Sequence, residues 1–137
     1  MLSIPRLSVA EARILIAGAS AKATEIGVPM CIAVTDESGT LIAFERMDGG
    51  KTASVAIAQA KARTAAASRR ATHEINAASG PGTLAFGIHE YLCTVGGGLP
   101  VVVNGAVVGA IGLSTGTAQQ DMDCAQAGID RLMASLK

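Results

Sequence analysis

The stretch VVVNGAVVGAIGL, residues 101–113, decides the fold. Asn104-Gly105 is the residue pair that best accepts the two positive φ angles of a type I′ turn, and the runs on either side are apolar and rich in valine. The stretch reads as a hairpin with strands over 101–103 and 106–113. Upstream lies Gly96-Gly97-Gly98, whose entropic cost in regular structure is high, so it reads as a loop. Downstream, Thr117 and Gln120 have the spacing of a capping box. Met122, Ala125, Ile129, Leu132, Met133 and Leu136 then recur at helical spacing, giving an amphipathic C-terminal helix.

A second hairpin is legible further upstream. CIAVTD (31–36) and TLIAFERM (40–47) are short apolar runs separated by the turn residues Glu37-Ser38-Gly39. A helix precedes them over 8–26, opened by a Ser8/Glu11 capping box and closed by Gly27 with Pro29 beyond. Another follows, Ala-rich, with Thr52 as its expected N-cap and its end near Arg70. A short helical piece over 72–78 stops at Ser79-Gly80-Pro81-Gly82, and 83–99 has no clear pattern. Two hairpins punctuated by helices imply a mostly antiparallel sheet with helices on its faces, one domain over 1–137.

Composition narrows the partners. Eleven basic residues balance eleven acidic ones, so no long-range field draws in phosphate backbones or anionic lipid. Two Phe, one Tyr and no Trp leave little to stack on unpaired bases. Pro5, Arg6, Glu11 and Arg13 interrupt the apolar N-terminal stretch, and no run reaches the roughly 20 residues of a membrane span. The expectation is a cytoplasmic protein with a small-molecule ligand and no nucleic-acid or membrane partner. Cys31, Cys93 and Cys124 are odd in number and widely spaced, which argues against disulfides and against a cysteine metal knuckle.

Several polar residues in apolar surroundings are site candidates. Asp36 and Arg46 end the two strands of the first hairpin, where they would meet across the pair or converge at a pocket mouth. Lys61 and Thr64, three apart in the Ala-rich helix, share a face. Asp121 lies in the first turn of the last helix, where the dipole favours a carboxylate. Asp36 or Asp121 as base, with Lys61 or Arg46 holding a substrate carboxylate, would make an acid–base set for an isomerase or lyase needing no cofactor. The loop Gly96-Gly97-Gly98 with Pro100 would let backbone N–H groups cradle an anion. His73, after the basic pair Arg69-Arg70, and His89, beside Glu90 and Tyr91, are the only imidazoles in the chain. Each reads either as a ligand or as an ordinary surface histidine.

Taken together, VTDESGTLIAFERMDG (34–49), SVAIAQAKARTAA (54–66), GGGLPVVVNGAVVGAIGLSTGT (96–117) and QQDMDCAQAG (119–128) resemble the GlcG/HbpS-like family, over nearly the whole chain. That family includes heme-binding proteins and the C-terminal domain of a corrinoid adenosyltransferase. The resemblance implies a profilin-like α/β (α+β) fold, an antiparallel sheet of about five strands with helices packed on its faces. It also implies homo-oligomers, a setting in catabolic operons, and heme as the ligand. In the adenosyltransferase-type domain the iron ligand lies in the N-terminal helix. Residues 9–26 here hold no His, Cys or Met, so this chain departs from that pattern.

Overall fold

The computed structural model describes residues 1–77 and 79–137, the side chain of His89 excepted. Asn104 and Gly105 adopt φ of 50° and 80°, the left-handed pair a tight hairpin turn demands. They join β3 (Gly98–Val103) to β4 (Ala106–Ser114). The other hairpin joins β1 (Cys31–Asp36) to β2 (Leu41–Arg46). The two meet through β1 and β4, giving the order β2-β1-β4-β3 with every pairing antiparallel. The sheet among the described residues thus has four strands, one fewer than the family resemblance suggests.

Helix α1 (Val9–Ile26) starts at the capping box, where Ser8 Oγ accepts from Glu11 N and Glu11 accepts from Ser8 N. It ends at Gly27, in the left-handed conformation with φ 72°. Helix α5 (Ala118–Ser135) opens on the reciprocal Thr117/Gln120 pair. Helix α2 (Ala53–Ser68) follows another rule at its start. Thr52 stands at the N-cap as expected, but it has helical dihedrals and its hydroxyl makes no capping bond. Lys51 and Thr52 carbonyls instead accept from Ser54 and Val55. Helix α3 (Thr72–Ala77) ends within the described residues, and Ala78 lies outside them. The stretch without sequence pattern contains a single helical turn, α4 (Leu84–Gly87), and a 3₁₀ turn at His89–Tyr91.

The strand pleat sorts side chains onto two unlike faces. Ile32, Val34, Leu99, Val101, Ile111 and Leu113 form the main core with α1 and α5. The opposite face is built from small residues, Cys31 and Ala33 of β1 with Gly98, Ala110 and Gly112, and α2 lies on it. A Cβ at Gly112 would collide with the Ala58 carbonyl and lie 2.5 Å from Ala62 N. The alanines of α2 and the glycines of the sheet therefore depend on one another: the helix backbone rests almost directly on the strands. Covered on both faces, β1 is buried at every position.

One polar atom in this sandwich is unpaired. Thr35 Oγ1, on the small-residue face of β1, is buried with no hydrogen-bond partner among the described residues. An unsatisfied buried hydroxyl costs about 1–3 kcal/mol, while an isosteric apolar group there costs nothing in hydrogen bonding. Thr35→Val is expected to stabilise the protein by about 1 kcal/mol, read as a higher urea midpoint at unchanged slope. A lower midpoint would show that the hydroxyl has a partner.

Candidate functional site

At one end of the sheet, where β4 finishes and β3 begins, α2 sends its lysine under the strand ends. Lys61 is 1% exposed, and its Nζ donates to the Leu113 carbonyl at 2.8 Å and to Asp121 Oδ2 at 2.9 Å. The second oxygen of Asp121 accepts from Gly116 N at 3.1 Å. Burial pushes the Asp121 carboxyl above the usual carboxylate range; the Lys61 ammonium and the Gly116 N–H pull it down without cancelling that shift. The pair thus ties α2, β4 and the first turn of α5 together in the dry interior. Sequence spacing places Lys61 and Thr64 on one face, and both are indeed buried. Thr64 Oγ1 accepts from Cys93 N at 2.9 Å, pinning the irregular stretch to α2.

The three glycines are arranged around this pair. A Cβ at Gly97, whose φ is 125°, would fall 2.8 Å from Asp121 Cβ and 2.9 Å from Lys61 Nζ. At Gly98 it would fall 2.8 Å from Thr72 Cγ2. The space left by these two missing side chains is filled by the protein itself. Gly98 N donates to Thr72 Oγ1 at 2.9 Å, so this N–H is not presented to an anion. Gly98 is also the first residue of β3 rather than part of a loop, because Thr72 and the Leu113 N–H to Gly97 O bond anchor the chain there. Thr72 carries no sequence signal, since a threonine opening a short helix looks like any N-terminal helix residue.

Above this foundation the surface is concave. Arg69, Arg70, His73, Leu99, Pro100 and Ile129 line an open depression of about 360 Å³ between α3, β3 and α5. Arg69 closes α2 in the left-handed conformation, φ 58°, which turns the chain so that α3 follows at once. Gly96 lies beside it: a Cβ built there would be 3.2 Å from His73 Cβ and 3.4 Å from Met122 Sδ. An imidazole and two guanidinium groups, with the Glu74 carboxylate and the Gln126 amide, therefore line this depression around Leu99, Pro100 and Ile129. Met122, beside Gly96 but outside the lining of the depression, is a thioether whose spacing places it in the apolar stripe of α5.

The remaining candidates sit elsewhere. Arg46 pairs with Cys31 whereas Asp36 lies at the far end of β1, so the two do not meet across the hairpin. Asp36 closes the turn instead. Its Oδ1 accepts from Ser38 N at 2.8 Å, Ser38 Oγ at 2.7 Å and Thr40 N at 3.1 Å, and Arg6 Nε stands 3.6 Å from Oδ2. It is thus separated from Lys61 and Asp121 by the length of the sheet. Burial raises the Asp36 carboxyl, but the hydrogen bonds of Ser38 and Thr40 with the Arg6 charge outweigh it and hold the group below its ordinary value. Arg46 is exposed on edge strand β2, and the His89 side chain lies outside the described residues. No group of three or more His, Cys, Asp or Glu among the described residues could hold a metal ion. Among the described residues no helix is long and apolar enough to cross a membrane.

The family described as "Haem degrading protein HbpS-like" matches residues 7–130. A Citrobacter freundii 15.0 kDa protein encoded in the dhaT-dhaS intergenic region is 38% identical over 131 residues, covering 93% of this chain and 92% of its own. Among solved structures, Klebsiella pneumoniae protein ORFY superposes with a TM-score of 0.92 at 35% identity, over 98% of this chain and 95% of its own. A PduOC:heme complex superposes with a TM-score of 0.85 at 32% identity, over 92% of this chain and 94% of its own.

The Lys61–Asp121 pair makes a stability prediction. Lys61→Met leaves a buried carboxylate without its cation and is expected to cost about 3–5 kcal/mol at pH 7. Adding Asp121→Asn recovers part of that loss, so the double-mutant cycle in urea shows a coupling of at least about 1 kcal/mol. Additive losses would mean that the two charges do not interact. Asp36 makes a pH prediction. A depressed folded-state pKa contributes stability that is complete above the unfolded value, about 3.9, and is lost as pH falls through the folded value. Asp36→Asn is therefore expected to lower the urea midpoint at pH 7 and to flatten its decline below pH 4. An unchanged acid limb would place that decline on other carboxylates.

Proposed function

From the premise that this chain belongs to the HbpS-like family, we propose that it is a small-ligand-binding protein whose ligand is heme, held in the depression beside Gly96. The observation that carries this reading is the convergence of His73, Arg69 and Arg70 on an apolar floor of Leu99, Pro100 and Ile129. Heme asks for those three things: an axial nitrogen or sulfur donor, apolar contact with the ring, and cations for its carboxylates. The likeness to a PduOC:heme complex supports the choice of ligand.

The donor set decides between two places on the surface. The groove between α1 and β2 is lined by Val9, Arg13, Ile16, Ser20, Ile42 and Glu45 among others, with no imidazole, thiol or thioether. It does not fit an iron ligand of those kinds. The depression does offer such a donor: His73 would hold the iron, with the Met122 thioether nearby beside Gly96. Arg69 would take a propionate, joined by Arg70 once it exchanges the Glu74 carboxylate 4.0 Å away, and heme would supply the site's redox and oxygen chemistry. Lys61 and Asp121 stay beneath, sealed from solvent, as positioning residues for the Gly96–Gly98 stretch. The reading includes a homo-oligomer and a cytoplasmic location, the latter supported by three free thiols at Cys31, Cys93 and Cys124.

Hemin titration with absorbance in the Soret region tests the assignment. Saturation at one hemin per protein chain and a shifted Soret band are expected, with His73→Ala losing the shift. Arg69→Ala with Arg70→Ala is expected to weaken binding about tenfold or more, two charge-assisted contacts being lost. A spectrum unchanged in both His73→Ala and Met122→Leu would remove the site. A spectrum lost only in His89→Ala would move the ligand to that histidine.

A further inference from the structure

The groove that cannot ligate iron has another property: its two walls carry opposite charges, and one wall is an open strand edge. Only β2 and β3 have an unpaired edge in the order β2-β1-β4-β3. β3 is interrupted by Pro100, which lacks an N–H, and proline is one of the standard guards of a sheet edge. β2 (LIAFER) contains no proline, glycine or lysine, and its Leu41 is 45% exposed. Beside it runs the groove of about 560 Å³, with Val9, Ile16, Ile42 and Ala43 between Arg13 on the helix wall and Glu45 on the strand wall. Arg13 and Glu45 are both exposed, and neither joins an ion pair among the described residues.

We propose that this face is the contact between two copies of the chain, joined edge to edge through β2 about a twofold axis, with Arg13 of each copy facing Glu45 of the other. The observations favour a second copy over a foreign partner because the patch is complementary to itself. An isologous contact requires that a surface supply both members of every pair, and this groove supplies one basic and one acidic group across an apolar centre. Antiparallel pairing of two β2 strands satisfies the open edge of both and continues the sheet from four strands to eight. The Val9 side chain, 48% exposed in one copy, is covered in the pair.

The inference rests on the oligomer reading above, and a charge-exchange experiment separates the two. Sedimentation equilibrium over the micromolar range would be run on the full chain and on Arg13→Glu, Glu45→Arg and the double exchange, with circular dichroism to verify folding. The expected result is a dimer or higher assembly for the parent chain. Each single exchange is expected to weaken assembly about tenfold or more by placing like charges together, and the double exchange to restore it. A monomeric parent chain would overturn both readings. An oligomeric parent whose single variants assemble unchanged would overturn this interface alone. So would a folded double variant that fails to regain assembly.

Discussion

A lysine with 1% exposure is the constraint around which this molecule is arranged. An ammonium group costs several kcal/mol to bury and is tolerated only where acceptors are already in place. Here they come from two separate elements, the last residues of β4 and the first turn of α5. For Lys61 to reach both, α2 must lie close against the sheet, and the strand under it must offer no side chains in the way. Gly97 and Gly98 meet that requirement, and Gly112 meets the corresponding one further along the helix. The small-residue face is thus a consequence of where the charge has to go.

That dependence explains why parts of the structure were legible and others were not. The Asn104-Gly105 turn and the capping boxes at Ser8 and Thr117 are local: each is decided by a few neighbouring residues and can be read without knowing the rest. The start of α2 is also local, yet Thr52 misleads, because carbonyl acceptors replace the side-chain cap. Gly98 misleads for a different reason. Its propensity points to a loop, but Thr72 and Lys61 pack against it from elsewhere in the chain, and these contacts outweigh the local entropic cost.

The candidate site divides along the same line. Lys61 and Asp121 stood out as charges in apolar surroundings, and the structure brings them together at 2.9 Å. What spacing could not say is that they face each other and not solvent. Asp36 stood out for the same reason, but its carboxylate is spent on the Ser38 and Thr40 turn. Met122 is hidden because a methionine in a helical stripe is usually core, and only the fold brings its sulfur beside Gly96, where α3 approaches.

The resulting architecture separates holding from binding. Lys61 and Asp121, which sequence reasoning would assign to chemistry, lie inside with their partners and stiffen the junction of α2, β4 and α5, whereas Asp36 serves its own turn and Arg46 is exposed. His73, Arg69 and Arg70 line the depression outside that junction, Arg70 with the Glu74 carboxylate 4.0 Å away. A binding site gains from such a base, since donors fixed by a rigid scaffold lose less freedom when the ligand arrives. The same reasoning accounts for the bare groove along α1. Under the proposed assignment the iron donor comes from α3, so nothing obliges α1 to carry a histidine and its outer face is left for contact with another surface. On that reading, the absence of His, Cys and Met from residues 9–26 and the presence of His73 beside Gly96 are two sides of one arrangement.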